Sequence, residues 1–318
     1  MIFKTIPQNG ASWLKPVLYS WEFEQKESQV EVEIYDCLSS ESLGKIMLYN
    51  IVSAEIDIAP YIRSKKLNMP LVKQQTIIAS SQDACRVVLR VNGVETEPRL
   101  LFRAEIGALQ RGVISSLVEN PTVAVGEQIR MTVLSQRSIS IVVSRPSESG
   151  IENFYYISEG LPCEIVVPIN IAKVGENILL RVQCDNDLVE VFKYRVVERD
   201  SSAVRLTWVN TNGGIESHTF PLSVKRNLMV KSEDVECECG SYRRVVGSTV
   251  VRRVIMSGAT QSEIDGMLDI LLSPKIYRCD VDGDISVQLL TDTITYDDHG
   301  RMRRLEFDIK EEWKGGVL

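Results

Sequence analysis

The chain opens on short runs in which apolar and polar residues alternate. Val17 to Phe23 reads as a strand, and Val30, Val32 and Ile34 then alternate with Glu31, Glu33 and Tyr35. Successive side chains of a strand point to opposite faces, so the pattern predicts a sheet with one wet side. Ser39 to Gly44 reads as a turn and Lys45 to Asn50 as a return strand. Val52, Ala54, Ile56 and Ile58 alternate again, and Pro60 closes that run, because proline donates no ladder hydrogen bond. Arg63 to Pro70 reads as a polar connection. Gln74 to Ala79 and Cys85 to Val91 are further strands, followed by the tight-turn pair Asn92-Gly93. Leu101, Ile106, Leu109 and Val113 have the spacing of a short helix, weakened by Gly107 and Gly112. Leu101 to Leu117 is read as the passage between domains.

From about Glu119 the strands become evenly spaced. They are Thr122 to Val125, Ile129 to Leu134, Ser138 to Ser144, Phe154 to Ile157, Cys163 to Val167, Ile178 to Cys184 and Val189 to Val197. Gly-Glu turns at 126 and 175, a loop from Arg145 to Gly150 and a hairpin turn at Asp185-Asn186-Asp187 separate them. Short strands with turns at this rhythm predict an immunoglobulin-like sandwich. No Cys…Trp…Cys spacing is present, so an antibody-type domain is not implied.

After the charged junction Glu198 to Ser202 comes VRLTWVNTNGGIESHTF, from Val204 to Phe220. Asn and Gly tolerate the positive φ of tight turns, so Asn210 to Gly214 predicts a β-hairpin. Val204, Leu206 and Trp208 share one face of its first arm, and Arg205, Thr207 and Val209 the other. Lys225 to Lys231, Tyr242 to Val246 and Thr249 to Met256 read as strands. Thr260-x-x-Glu263 is a capping box, and Ile264, Met267, Leu268, Leu271 and Leu272 follow at helical spacing up to Ser273-Pro274. Ile276 to Cys279 and Ile285 to Leu290 form a hairpin about Asp282-Gly283. Asp297 to Gly300 is a turn, and Leu305, Phe307 and Ile309 alternate with charged residues in the last strand. The expected fold is mainly β and multidomain: an N-terminal β-rich domain over 1–115, a central sandwich over 116–200, and a C-terminal α+β domain with one helix over 201–318.

Composition narrows the function. A chain of 318 residues suits two or three domains, and 44% apolar with 25% charged residues is a globular balance. A net charge of -7 argues against a general nucleic-acid binder. The pairs Arg243-Arg244, Arg252-Arg253 and Arg303-Arg304 read as solvated strand ends. Seven irregularly spaced cysteines predict reduced thiols, not a disulfide scaffold. The N-terminus lacks the apolar core of a signal peptide, and no apolar run reaches membrane-spanning length. The expected place of synthesis is the cytoplasm, with no membrane insertion.

No recognised catalytic motif is present. His218 and His299, the two histidines, sit in no motif with a nucleophile and read as structural. Cys237-Glu-Cys239 with distant Cys279 lacks a fourth ligand for zinc. Asp280-Val-Asp282-Gly283-Asp284 lacks the glutamate of a calcium loop, since Thr291 stands at its twelfth position. No cofactor or metal is expected. Carboxylates are plentiful, but sequence does not single out a glycosidase pair, and Trp208 reads as core.

Leu206 to Gly214 with Phe220 resembles a pattern of tail proteins encoded by phages and prophages of the Bacteroidetes, in which a Trp- and Asn-bearing strand turns through Gly-Gly into a strand ending in Phe. Glu55 to Ile62, and the helix from Glu263 to Leu272 leading into Ser273 to Tyr277, are similar to segments of the same proteins. The resemblance touches the first and third domains and matches the central one by general type. It implies a virion structural component similar to distal-tail or baseplate-adaptor proteins: non-enzymatic, β-rich and assembled in rings with itself and other tail proteins. Trp208, Asn210, Asn212, Gly213, Gly214 and Phe220 are the hairpin residues expected to serve structure and assembly. The alternative is a carbohydrate- or surface-binding β-sandwich module protein, with a host-surface glycan as its partner.

Overall fold

A computed structural model describes residues 1–67, 76–79, 84–103, 112–114, 118–135, 137–145, 151–157, 161–170, 172–237, 240–280, 283–290, 295–297 and 303–314. The protein is mainly β, with a central sandwich and one α-helix in its C-terminal part.

The N-terminal sheet is built around a long hairpin, Leu18–Asp36 with Glu41–Asp57. The alternation predicts two shorter strands in each arm. The chain instead stays paired through the polar run Glu24 to Gln29 by a register shift between Glu22 and Glu27, with Asn50 opposite it at φ 56°. A bulge of this kind lets a strand continue past residues that do not fit the ladder. Ala84–Val91 and Arg99–Phe102 extend the sheet, and Trp13, Tyr19, Trp21, Val32, Ile34 and Leu89 fill its core.

Pro60 does not mark the end of order, and the expected polar connection from Arg63 begins in a helix. Ala59–Lys66 is α-helical, with the proline in its first turn. Proline is tolerated there because the N–H it lacks has no intrahelical partner anyway. Ala59, Ile62 and Lys66 face inward, and Lys65 and Lys66 complement the negative end of the helix dipole. Lys66 pairs with buried Asp36 at 2.9 Å. The helix lies close to its strand because residue 44 is glycine: a Cβ there would stand 2.5 Å from the Tyr61 ring.

The central sandwich has two sheets. One consists of Thr122–Ala124, Asp187–Val197, Asn177–Cys184, Ser138–Ser144 and Ile151–Ile157. The other consists of Thr76–Ala79, Pro162–Pro168, Gln128–Leu134 and Gly112–Val113. Their inner faces share Ile129, Met131, Ile141, Ile165, Leu180 and Val182. Two strands of the second sheet precede residue 116 in the chain. Leu101 and Val113, expected in a short helix, lie in strands, whereas Ile106 and Leu109 fall outside the described residues. Asp185 and Asn186 both take positive φ, as a two-residue hairpin turn requires.

The C-terminal sheet runs from Ile215–Phe220 through Val204–Val209, Ile276–Asp280, Gly283–Leu289, Arg303–Lys314 and Gly240–Ala259 to the edge strand Leu222–Cys237. The last two are continuous long strands where sequence predicts three short ones. The ladder is carried through the polar sequence by register shifts between Lys225 and Asn227 and between Lys231 and Ser232. Gln261–Leu268 is the expected helix, with both hydrogen bonds of the Thr260/Glu263 capping box formed. It tightens to a 3-10 turn over Asp269–Leu272. The tighter turn rotates the apolar face, so Ile270 joins Ile264 and Met267 in the core while Leu272 is 71% exposed.

Candidate functional site

The Val204 to Phe220 hairpin is buried on both faces. Pairing runs from Val204 opposite Phe220 to Val209 opposite Ile215, and every residue of both arms is buried. One face behaves as its apolar spacing predicts. Leu206, Trp208 and Phe220 pack with Ile264, Met267, Leu305 and Phe307 in the C-terminal core.

The other face carries Arg205, Thr207, Ser217 and Thr219. It packs against the central sandwich. Arg205 donates to the Gln128 carbonyl at 2.6 Å, the Thr122 carbonyl at 3.2 Å and the Thr219 hydroxyl at 2.8 Å. Its guanidinium also lies 3.6 Å from the Glu127 carboxylate. That carboxylate accepts from the Thr219 hydroxyl at 2.5 Å and the Ala124 amide at 2.8 Å. Thr207 contacts the Ser217 hydroxyl and the Cys279 thiol. A second bridge joins Arg130 of the sandwich to Asp284 at 2.6 Å, with both side chains almost fully buried. Buried charges demand such partners because each loses its hydration.

The turn links all three regions. Asn210 closes it: its N–H donates to Gly214 O, its carbonyl accepts from Gly213 N, and its side-chain oxygen accepts from Gly214 N. Gly213 takes φ +85°, which a side chain would strain. The Asn210 amide donates to the Ile114 carbonyl at 2.9 Å, and the Ile215 N–H donates to the Thr132 hydroxyl at 3.0 Å. From the N-terminal sheet, buried Arg103 donates to the Gly213 carbonyl at 2.8 Å. Of the six residues expected to serve structure and assembly, Trp208, Asn210, Gly213, Gly214 and Phe220 are buried inside the protomer. Asn212 is at the surface.

His218 also sits at this junction. Thr122 donates its hydroxyl proton to Thr219 O, so that hydroxyl accepts from His218 Nε2, while the Thr122 amide faces Nδ1. The ring is therefore the neutral Nε2–H tautomer. Burial first, and the Arg205 charge second, push its pKa down to about 3. A cleft of about 440 Å³ opens beside it, lined also by Asn177, Lys193, Arg195, Met256 and Glu263. With both ring nitrogens turned to Thr122, this histidine is placed to hold two regions together, not to take a proton from a ligand.

The remaining candidates are dispersed. Burial pushes the Cys279 thiol up to about 11, so it is protonated at neutral pH. Cys239, His299 and Asp282 lie outside the described residues, as do the side chains of Cys237 and Asp280. Among the described residues no cluster of three or more His, Cys, Asp or Glu could hold a metal ion, and the described cysteines are free thiols. No described helix is long and apolar enough to cross a membrane.

Sequence reading misses Arg205, Glu127, Arg103 and the Arg130–Asp284 pair. Each is an ordinary charged residue in a strand or in the turn beside one, and its role depends on what packs against it. No protein-family model matches the chain, and no curated protein matches it in sequence.

Proposed function

We propose that the protein is a non-enzymatic structural component of a phage or prophage tail, working by assembly with copies of itself and with other tail proteins, and resident in the virion. The observation that carries the reading is a pair of long strand edges, Glu41–Asp57 and Leu222–Cys237, each of which pairs on one side only among the described residues. An open edge of this length offers unpaired backbone groups to a neighbour, and a protein that works alone normally covers or shortens it. The resemblance of the Leu206 to Phe220 segment to tail proteins supplies the setting. Light scattering at rising concentration, with negative-stain images, tests it. Closed rings or stacked rings are expected. A monomer at every concentration that binds an immobilised glycan saturably would overturn it.

That second outcome belongs to the alternative, a carbohydrate-binding sandwich. Its support is the edge strand Ile151–Ile157, where Tyr155 is 66% exposed beside exposed Ile151 and Ile157. Aromatic rings on an open sheet face suit stacking on a sugar. A glycan array read against Tyr155→Ala separates the two readings.

A further inference from the structure

We propose that the cleft beside His218 binds a small organic anion, with one carboxylate or phosphate group on a hydroxylated body. This does not depend on how copies of the protein assemble.

The strand Asp187–Val197 builds one wall. Phe192, Tyr194 and Val196 belong to the sandwich core, so the period of two turns Lys193 and Arg195 outward, where both line the cleft. The register sets Arg195 between Asn177 on one neighbouring strand and Thr122 on the other. These three residues form a polar row across three strands, and all of them line the cleft. The facing wall belongs to the C-terminal sheet and carries Met256, Ser257 and Gly258. There the ladder to Arg303–Lys314 skips Gly258, which takes φ +78°. A bulged residue is left out of the pairing, so this wall also offers backbone groups.

Charge sets the sign of the ligand. Among the described residues Lys193 and Arg195 form no ion pair and no side-chain hydrogen bond. The one carboxylate in the lining, Glu263, accepts from the Thr260 amide at 2.8 Å in the capping box. Behind the wall Arg205 and Glu127 offset each other, and His218 is neutral. Glu119, Glu176, Glu198 and Arg199 stand next to this region in sequence but do not line the cleft. Glu176 accepts from the Lys173 amide. A chain of net charge -7 thus holds two uncommitted cations at one cleft, and paired cationic donors grip a carboxylate or phosphate strongly.

The rest of the lining describes the body of the ligand. The side chains of Asn120, Asn177 and Ser257 make no hydrogen bond among the described residues, and amides and hydroxyls of this kind pair with ligand hydroxyls. A volume of about 440 Å³ exceeds the needs of a bare inorganic ion and lies within the range of small-molecule sites, about 300 to 1,000 Å³.

Isothermal titration of the full chain tests this with glucuronate, a glucose monophosphate and, as the neutral control, glucose. At least one of the two anions is expected to bind saturably, one to one, and the tighter of them names the anionic group. Glucose is expected not to bind. Lys193→Gln/Arg195→Gln is expected to weaken anion binding about tenfold or more, with circular dichroism unchanged. The milder Lys193→Gln should weaken it less. Absence of binding by both anions at millimolar concentration would overturn the proposal. So would glucose binding as tightly as the anions, or binding that the double variant retains in full.

Discussion

Arg205 shows how one side chain can join two regions. Its three hydrogen bonds and its ion pair reach Thr122, Gln128, Thr219 and Glu127 from a single planar fork. Arg205→Ala is expected to lower stability in urea unfolding by about 3 kcal/mol or more, since it leaves the Glu127 carboxylate buried with its countercharge gone. A loss below about 1 kcal/mol would place the holding force elsewhere. His218 makes a prediction about acid. Its folded pKa lies below the unfolded value, so its contribution is present above about pH 6.5 and is lost as pH falls toward about 3. Over that window the unfolded chain binds a proton that the folded ring refuses, which costs about 1.4 kcal/mol per pH unit. Urea midpoints between roughly pH 6 and pH 4.5 should fall in wild type and fall less in His218→Gln. The carboxylates of Asp36 and Asp308, both held below their ordinary range, contribute to acid loss only below about pH 4. Burial alone would raise Asp36. Lys66, the Ser39 hydroxyl and the amides of Arg86 and Leu38 outweigh it.

At the scale of the element, legibility follows how local the determining interactions are. The Val204 to Phe220 hairpin, the Asn92-Gly93 and Asp185-Asn186 turns and the Thr260 capping box are all readable, because each is settled within a few residues. Thr260→Ala should cost about 1 kcal/mol through loss of the cap, measured by thermal unfolding. The helix Ala59–Lys66 is hidden by a proline that reads as a stop but stands in a first turn, where it is harmless. The 3-10 turn at Asp269–Leu272 is hidden because its apolar residues also fit the α period. The two long hairpins are hidden for a different reason. Their polar stretches break the alternation, yet register shifts in both carry the ladder through.

At the scale of the molecule, the sandwich draws on chain that precedes it. Thr76–Ala79 and Gly112–Val113 are the outer strands of its second sheet. A fragment of residues 116–200 lacks both and leaves Met131 and Ile165 with a narrowed sheet. It is expected to be insoluble or to lack a cooperative thermal transition, whereas a fragment of residues 76–200 carries both complete sheets and should unfold cooperatively. Equal behaviour of the two fragments would show that the added strands contribute little. The candidate site divides in the same way between near and distant causes. The Asn-Gly turn, the apolar face of the hairpin and the buried Trp208 follow from the sequence alone, because turn chemistry and the period of two act locally. That the polar face of the same hairpin is also buried follows only from tertiary structure. Arg205 and Thr219 are enclosed because Thr122, Glu127 and Gln128, some 80 residues earlier in the chain, are brought against them. The sequence determined most of the short strands, the turns and the cap; packing between distant segments decided how far the long strands run and which polar residues lie inside, because a side chain's burial is a property of its neighbours and those neighbours are non-local.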